Sequence, residues 1–439
     1  MPDKILIKNA HIVTMNSSLD FFKGDILINS SRIENISENI PGNENEEFDA
    51  QDFLVVPGFI QTHIHLCQTL FRNLADDLLL LDWLKEKIWP YESAHNPETL
   101  RLSTQLGLAE LLKSGTTTIL DMGTVNHQDV IFEELIKSGI RAFAGKTMMD
   151  YGEIPDGLQE KTHNSIDESV RLLKKWDGSA DGRIRYAFAP RFAVSSTEEL
   201  LRETGRLAHE HKTLFHTHSS ENLGELELIK KRFGTRNINV FEKLGLAGKN
   251  LCLAHCIWLD EEEKQILKDH DIRVLHCPSS NLKLGSGIAP IPDYLKRGIH
   301  VSIGADGAPC NNNLDIFTEM RLAALIQKPV HGPQTMPALE AFKMATINGA
   351  EALGIENDTG SIEIGKKADL TFIKLNQVHS IPFDNVYSKI VYSTHAHDVE
   401  HVMIDGNWIV KDKKLLTIDE EQIFSNIESN VKRIQSYKY

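Results

Sequence analysis

The sequence lacks the features that mark a secreted or membrane protein. Its 439 residues contain no N-terminal apolar segment of the signal-peptide kind, and no run of about 18 apolar residues that would span a bilayer. Its five cysteines form an odd and scattered set, which does not make a disulfide framework. These absences predict a cytoplasmic protein that has no membrane partner and keeps its thiols reduced.

An excess of positive charge is also missing. The chain has 47 lysines and arginines against 62 aspartates and glutamates, a net charge of -15. Nucleic-acid binding depends largely on cationic contacts with phosphate, so this charge argues against a nucleic-acid partner. Hydrophobic residues at 41% and aromatic residues at 7% are typical of a globular enzyme. We therefore expect the partner to be a small molecule.

Short apolar runs alternate with longer amphipathic stretches through most of the chain. Segments such as STEELLRETGRLAHEH and DEEEKQILKDH open on capping residues, as helices do. Eight such strand and helix units predict a (β/α)8 barrel over residues 58–363, in which chemistry gathers at the carboxyl ends of the strands. The apolar runs are residues 58–65, 116–122, 140–146, 183–191, 213–218, 250–256, 272–278 and 299–306.

Short runs with β-strand patterns also occur at the two ends of the chain. Residues 4–15, 25–36 and 52–58 are short β runs broken by polar turns, and ADLTFIK, VEHVMIDGNWIV and KDKKLLT resemble them after the barrel. We expect residues 1–57 and 364–439 to form one small composite β-sandwich domain. The amphipathic stretch DEEQIFSNIESNVKRIQSY predicts a C-terminal helix in it.

Histidines and one aspartate stand at the carboxyl ends of five predicted strands. Alternate residues of a strand share a face, so the paired histidines of the first strand point the same way, as do His216 and His218. Three neutral imidazoles and a carboxylate would hold one divalent metal ion with room for a water, and zinc or ferrous iron suits those ligands. The residues are His63, His65, His218, His255, His276 and Asp306, with His216 as an alternative to His218.

Glu221 lies three residues beyond His218 and is the candidate acid–base group. A carboxylate at this spacing can approach a metal-bound water without being a ligand. It can then carry the proton of that water to a leaving group. The alternative is that Glu221 only caps the following helix.

Several motifs, in one order along the chain, resemble the amidohydrolase superfamily. The most similar branch holds adenosine-type deaminases, guanine deaminase and the s-triazine hydrolases, and its members are usually homo-oligomers. Binuclear members of the superfamily carry a carboxylated lysine where Arg191 stands, which favours a single metal here and leaves Lys146 as the alternative lysine. The motifs are THIH (62–65), HSSE (218–221), AHC (254–256), HCPSSNLKLGSG (276–287) and GADGAPCNNN (304–313).

The resemblance implies a metal-dependent hydrolytic deaminase. Glu221 would move protons, His255 would orient the attacking water and the leaving group, and Asp306 would also accept the proton of the water. A non-catalytic scaffold is the remote alternative, because such proteins generally lack the full ligand set. The ligands that the resemblance implies for one divalent ion per subunit are His63, His65, His218 and Asp306.

Four further residues bear on the heterocyclic substrate. Gln68, Arg191 and Phe192 match positions that hold the purine ring in guanine deaminase. Glu92 matches the glutamate that receives the ribose hydroxyls in S-adenosylhomocysteine and 5′-methylthioadenosine deaminases. We expect an adenosine-type nucleoside, with guanine or an s-triazine as the alternative.

A second group of histidines lies near the C-terminus, in STHAHDVEH. His395, His397 and His401 could bind an adventitious metal ion. The other interpretation places them in a loop and a strand of the small domain.

Overall fold

The computed structural model describes residues 4–42 and 46–436. Its first five strands come from the N-terminal end of the chain, and β1 pairs antiparallel with β2 and parallel with β4 and β5. These strands are β1 (Lys4–Val13), β2 (Phe21–Asn29), β3 (Arg32–Ser37), β4 (Glu46–Asp49) and β5 (Phe53–Pro57).

The next ten strands form a parallel sheet, and each of the eight predicted runs overlaps at least one of them. The eighth run is split: β14 pairs with β13, and β15 pairs with β6, so this run joins the two edges of the sheet and closes the barrel. The strands are β6 (Phe59–His65), β7 (Thr116–Met122), β8 (Arg141–Gly145), β9 (Thr147–Met148), β10 (Ile184–Pro190), β11 (Leu214–Ser219), β12 (Leu251–His255), β13 (Arg273–His276), β14 (Val301–Ile303) and β15 (Asp306–Gly307).

Helices follow the barrel strands, and the predicted caps are present. Thr197 accepts a hydrogen bond from the Leu200 amide at the start of α6, and Asp260 forms a capping box with Glu263 at α9. Within residues 4–42 and 46–436, no helix has the length and apolar character needed to cross a membrane. The helices before the last strands are α1 (Leu80–Trp83), α2 (Trp89–Ser93), α3 (Pro97–Lys113), α4 (Gln128–Ser138), α5 (Thr162–Trp176), α6 (Glu198–His211), α7 (Leu223–Phe233), α8 (Asn237–Lys243), α9 (Glu261–Asp269), α10 (Pro278–Lys283), α11 (Ile291–Arg297), α12 (Ala308–Asn311), α13 (Ile316–Leu325), α14 (Lys328–His331), α15 (Ala338–Met344) and α16 (Ile347–Leu353).

The C-terminal end of the chain completes the first sheet. Strand β16 pairs antiparallel with β5, so nine strands from both ends form one sheet, and the predicted composite β domain is present. Side chains from both ends share one hydrophobic cluster, in which Ile26 and Ile28 lie with Phe372 and Met403. The domain boundaries at 57/58 and 363/364 stay a prediction. The last elements are β16 (Leu370–Lys374), α17 (Val386–Ser388), β17 (Val399–Ile404), β18 (Asn407–Lys411), β19 (Lys414–Leu415) and α18 (Glu420–Gln435).

The C-terminal helix α18 lies against the barrel. Ile423 and Ile434 are buried in a hydrophobic cluster that includes Leu102 of α3, and the Lys113–Glu420 ion pair spans 2.6 Å between the same two helices. The contact buries the apolar stripe of this amphipathic helix. The predicted helix is therefore present, and it packs on the outer ring of the barrel.

A buried ion cluster joins the barrel to the small sheet. Arg141 of β8 donates from Nε to Asp369 at 2.9 Å and from Nη2 to Asp405 at 2.7 Å. All three side chains are largely buried, and Lys367 reaches Asp405 at 3.2 Å. Removing the arginine would take the guanidinium away from the buried Asp369, while Asp405 would keep Lys367 and, at 3.9 Å, Arg183.

Arg141→Met is expected to lower the free energy of unfolding by about 3–5 kcal/mol, because breaking a buried ion cluster leaves uncompensated charge. The midpoint of urea unfolding, followed by circular dichroism, measures this loss. Arg171→Met is the matched control, since Arg171 pairs with Glu168 and Asp129 at the exposed surface and such pairs contribute about 0–1 kcal/mol. Equal midpoints for the two variants would contradict a structural role for the cluster.

Candidate metal centre and catalytic pocket

The structure brings the four predicted metal ligands together at the carboxyl ends of the barrel strands. His63 and His65 end β6, His218 lies near the end of β11, and Asp306 begins β15. One nitrogen or oxygen from each lies within 4.8 Å of the others. Asp306 Oδ1 is 3.3 Å from Nε2 of both His63 and His65, and His65 Nε2 is 3.2 Å from His218 Nε2.

Hydrogen bonds to carbonyl groups set the tautomers of two of these rings. His65 Nδ1 lies 2.8 Å from the Met122 carbonyl, and His218 Nδ1 lies 2.7 Å from the Arg191 carbonyl. A carbonyl oxygen only accepts, so each Nδ1 donates and each Nε2 of a neutral ring keeps its lone pair. Burial lowers the pKa of His65 to about 3, which keeps that ring neutral. Two lone pairs and a carboxylate facing one point fit a divalent cation.

His216 lies behind the four ligands. Its Nε2 is 2.7 Å from His63 Nδ1, and it is not one of the four grouped donors. His63 Nε2 has no hydrogen-bond partner in the described part of the chain, and it faces Asp306. The alternative that His216 replaces His218 as a ligand is therefore not supported, and His216 contacts the second nitrogen of a ligand histidine.

Glu221 and His255 form a pair beside the ligands. Glu221 Oε2 is 3.4 Å from His255 Nε2, which is in turn 3.8 Å from Asp306 Oδ2. Burial raises the pKa of Glu221 to about 7. Burial alone would lower the pKa of His255, but the carboxylates of Glu221 and Asp306 raise it. A buried carboxyl group whose pKa is raised toward neutrality suits proton transfer.

The capping alternative for Glu221 is wrong. The side chain of Asn222 accepts the hydrogen bond from the Gly224 amide and is the N-cap of α7. Glu221 instead lines the pocket, where Ser286 Oγ donates to its Oε1 at 3.1 Å.

Two residues of the site have a strained backbone. His255 has a φ of 73° and Asp306 a φ of 64°, which lie in the left-handed region that few non-glycine residues adopt. Such conformations persist only where the surrounding structure imposes them, and they concentrate at functional sites. Both are strand-end residues whose side chains meet at Glu221 and the ligand group.

Three polar residues hold side chains of the site by hydrogen bonds that were not predicted from the sequence. Ser280 Oγ donates to Asp306 Oδ2 at 2.7 Å, and Asn281 Oδ1 accepts from His255 Nδ1 at 2.8 Å. With Ser286, they come from the single segment after β13 that contains the motif HCPSSNLKLGSG. A run of polar residues after a strand end indicates that they lie near the site. The sequence does not show which side chain each of them contacts. His276, from the same segment, is buried, and neither ring nitrogen has a partner among the described residues.

Three of the four substrate candidates, Gln68, Arg191 and Phe192, line the pocket, and Glu92 is hydrogen-bonded to two of them. Gln68 Nε2 donates to Glu92 Oε1 at 2.8 Å, and Arg191 Nη1 donates to Glu92 Oε2 at 2.7 Å. The ring of Phe192 is 6.5 Å from that of His218. The residues that line the pocket are His65, Gln68, Leu80, Trp83, Leu84, Arg191, Phe192, His218, Glu221, His255, Leu284 and Asp306.

Lys146 is held away from the ligand group. Its Nζ donates to Glu160 at 2.6 Å and to the Thr147 carbonyl at 3.0 Å, and the side chain is fully buried. This ion pair occupies the amine that would have to be carboxylated to bridge two metal ions. The geometry within the described residues therefore favours a single metal ion.

Known proteins resemble this chain over nearly its whole length. The Amidohydrolase family matches residues 54–409. A 5-methylthioadenosine/S-adenosylhomocysteine deaminase of Thermococcus onnurineus is 39% identical over 413 residues, which are 94% of this chain and 95% of that protein. A 5′-deoxyadenosine deaminase of Methanobrevibacter smithii is 38% identical over 436 residues, 98% of each chain.

A solved structure shares the same architecture. An adenosine deaminase from Xanthomonas campestris with bound zinc superposes with a TM-score of 0.93 and 28% identity, over 99% of both chains. Fold, motif order and relatives agree with the strand-end site described above. This chain belongs to the amidohydrolase family.

Proposed function

We propose that the chain is a metal-dependent hydrolytic deaminase of adenosine-type nucleosides such as 5′-deoxyadenosine, 5′-methylthioadenosine or S-adenosylhomocysteine. The observation that carries the proposal is the Glu221–His255 pair beside a three-histidine, one-aspartate ligand group in one pocket. The relatives named above, which are 38% and 39% identical, support the substrate class.

The ligand group suits one divalent ion. When bound by His63, His65, His218 and Asp306, the ion would lower the pKa of a water so that it can act as a nucleophile near neutral pH. We propose zinc, because three imidazoles and one carboxylate are ligands that it accepts readily, with ferrous iron as the alternative.

The residues around the ligand group have distinct roles in the proposed reaction. Deamination adds water at the ring carbon that carries the exocyclic amine and releases ammonia. Glu221 delivers a proton to the adjacent ring nitrogen, and Asp306 accepts a proton from the attacking water and passes it to the exocyclic amine. The carbon–nitrogen bond then breaks to release ammonia, and the proton of the added hydroxyl returns to Glu221. Asn281 holds the His255 ring by its Nδ1, so that Nε2 faces Glu221 and the reacting groups.

The sugar and the ring would meet the network of Gln68, Glu92 and Arg191. Glu92, which suggested a nucleoside, and Arg191, which suggested guanine, form an ion pair with each other. A bound substrate must therefore share or replace the contacts of Glu92. We propose that Glu92 accepts the ribose hydroxyls while Gln68 and Phe192 contact the purine. The guanine alternative rests on the buried guanidinium of Arg191 at the pocket wall, which would suit a ring carbonyl.

A coupled ammonia-release screen tests the proposed function. The panel is adenosine, 5′-deoxyadenosine, 5′-methylthioadenosine, S-adenosylhomocysteine, guanine, cytosine and a chlorotriazine. We expect the highest kcat/KM for one of the 5′-substituted or 5′-deoxy adenosines. Ammonia from guanine alone would establish the alternative, and chloride from the chlorotriazine would indicate a triazine hydrolase.

Glu92→Gln is expected to reduce kcat/KM for adenosine-type nucleosides by about tenfold to a hundredfold, because a hydrogen bond to a charged group contributes about 1.5–3 kcal/mol. A 2′,3′-dideoxy analogue is the matched control, since it lacks the hydroxyls and should lose much less. Steady-state kinetics with both substrates measures the difference. An equal loss for both would show that Glu92 does not bind the sugar.

Location and assembly are part of the same proposal. All five cysteines are free and buried, which supports a cytoplasmic location. A homo-oligomer stays a prediction, and the mass of the native protein in solution tests it.

A further inference from the structure

A second group of metal-binding side chains lies in the small domain, outside the barrel. His379 follows β16, and His397 and Asp398 belong to the 3₁₀ turn Ala396–Asp398 that precedes β17. One donor atom of each residue lies within 4.8 Å of the others, and we call this trio the His379 cluster. Its members come from two segments separated by α17.

The membership differs from the sequence-based grouping of His395, His397 and His401. His401 is buried, and its ring lies 5.0 Å from Phe48 and 5.0 Å from Phe53 in an aromatic cluster. The ring of His395 lies 5.0 Å from that of His379 and 5.3 Å from that of His397, at the edge of the His379 cluster.

Asp398 is the buried centre of the cluster. Its Oδ2 accepts from His379 Nε2 at 2.8 Å and from the His395 amide at 2.9 Å. Its Oδ1 lies 3.5 Å from His397 Nε2 and has no hydrogen-bond partner within the described residues. The side chain is only 2% exposed. A carboxylate oxygen that is buried and unpaired is costly, and a cation at this position would offset that cost.

The two histidines are open to solvent. The side chain of His379 is 34% exposed and that of His397 is 70% exposed, so an ion can reach the trio from outside. Donors of a tetrahedral zinc ion are about 3.4 Å apart, given bonds of about 2.0–2.1 Å. The 3.5 Å separation between His397 Nε2 and Asp398 Oδ1 is close to this value. A bound ion would replace the proton that His379 Nε2 donates to Asp398, since metal binding releases the protons of its ligands.

We propose that the His379 cluster binds a second divalent transition-metal ion, of the zinc class, that is separate from the barrel site. Two imidazoles and a carboxylate are ligands of this class, and water or His395 completes the coordination. The ion joins the segment after β16 to the turn before β17 and so stabilises the small domain. The proposal does not depend on the activity of the barrel site.

Metal content per chain tests the proposal. The full chain is equilibrated with buffered micromolar free zinc, freed of unbound ion, and analysed by mass spectrometry, for the wild type and for His379→Ala and His397→Ala. We expect each variant to hold one zinc fewer per chain than the wild type. His163→Ala is the matched control, because His163 is an exposed histidine outside the cluster, and it should retain the wild-type content.

Several outcomes would overturn the proposal. Equal zinc content in the wild type and both cluster variants would remove the site, and an extra equivalent that appears only at millimolar zinc would show an adventitious ion only. If the barrel site binds no zinc, the zinc content per chain falls by the same amount in the wild type and in both variants. The difference in zinc content between the wild type and the variants then stays the same. Circular dichroism and ammonia release should be unchanged in the two variants, since both histidines lie outside the catalytic pocket.

A thermal readout checks the stabilising role. Zinc is expected to raise the Tm of the wild type more than that of His379→Ala, because a ligand that binds only the folded state stabilises it. An identical zinc-dependent rise in the two proteins would contradict the link between the two segments.

Discussion

Glu221→Gln is expected to retain the metal ion of the barrel site and to lose turnover by about a hundredfold to ten-thousandfold, the usual contribution of a positioned proton-transfer group. The carboxyl group lies in the pocket, is 4% exposed, and has a pKa raised to about 7 by burial. Glutamine keeps the size of the side chain and its contact with Ser286, but it cannot carry the proton. The loss should therefore appear in kcat, with metal content unchanged.

The matched control for this substitution is Glu227→Gln. Glu227 lies on α7, six residues further along, and it is exposed. We expect wild-type turnover from this control. Near wild-type turnover in Glu221→Gln would remove Glu221 from the mechanism, and loss of the metal ion in that variant would make Glu221 a ligand.

The second large effect is expected from His218→Ala. This ring supplies the Nε2 atom 3.2 Å from His65 Nε2, and its removal opens one side of the ligand group. We expect the loss of one equivalent of metal per chain and a fall in kcat of at least about a thousandfold, because the ion contributes several kcal/mol to catalysis of this kind. Metal analysis and ammonia release, measured on the same preparation, check both effects.

His216→Gln separates ligation from support. His216 contacts His63 Nδ1 and is not one of the four metal-ligand candidates. We therefore expect the substitution to lower the affinity for the metal ion by about tenfold to a hundredfold. Excess zinc should restore its turnover, whereas His218→Ala should stay inactive. The reverse pattern would make His216 the ligand.

The strand ends could be predicted from the sequence because parallel strands place their carboxyl ends at one face. His65 and His218 are 153 residues apart, yet each stands at the end of an apolar run, and the barrel brings them to 3.2 Å. The same reasoning placed Glu221 near this site. The division of the eighth strand into β14 and β15, which closes the barrel, could not be predicted, because both strands arise from one apolar run of the sequence.

Contacts between loops could not be predicted in the same way. Glu92 and Arg191 are 99 residues apart, the first in α2 and the second just after β10, and no periodic pattern records that they pair. The supporting hydrogen bonds from Ser280 and Asn281 depend on the shape of one segment after β13. The same limit explains why His401 was grouped with His397: they are close in the sequence, but His401 belongs to a strand and His397 to the turn before it.

The most direct test of the proposed function is the initial rate of ammonia release from 5′-deoxyadenosine by metal-loaded and metal-free protein. We expect turnover by the metal-loaded chain, with one ammonia for each nucleoside converted, and almost none by the metal-free chain until zinc is returned. Equal rates with and without metal would contradict the role of the ligand group. No ammonia from any adenosine-type nucleoside by the metal-loaded chain would contradict the proposed deaminase.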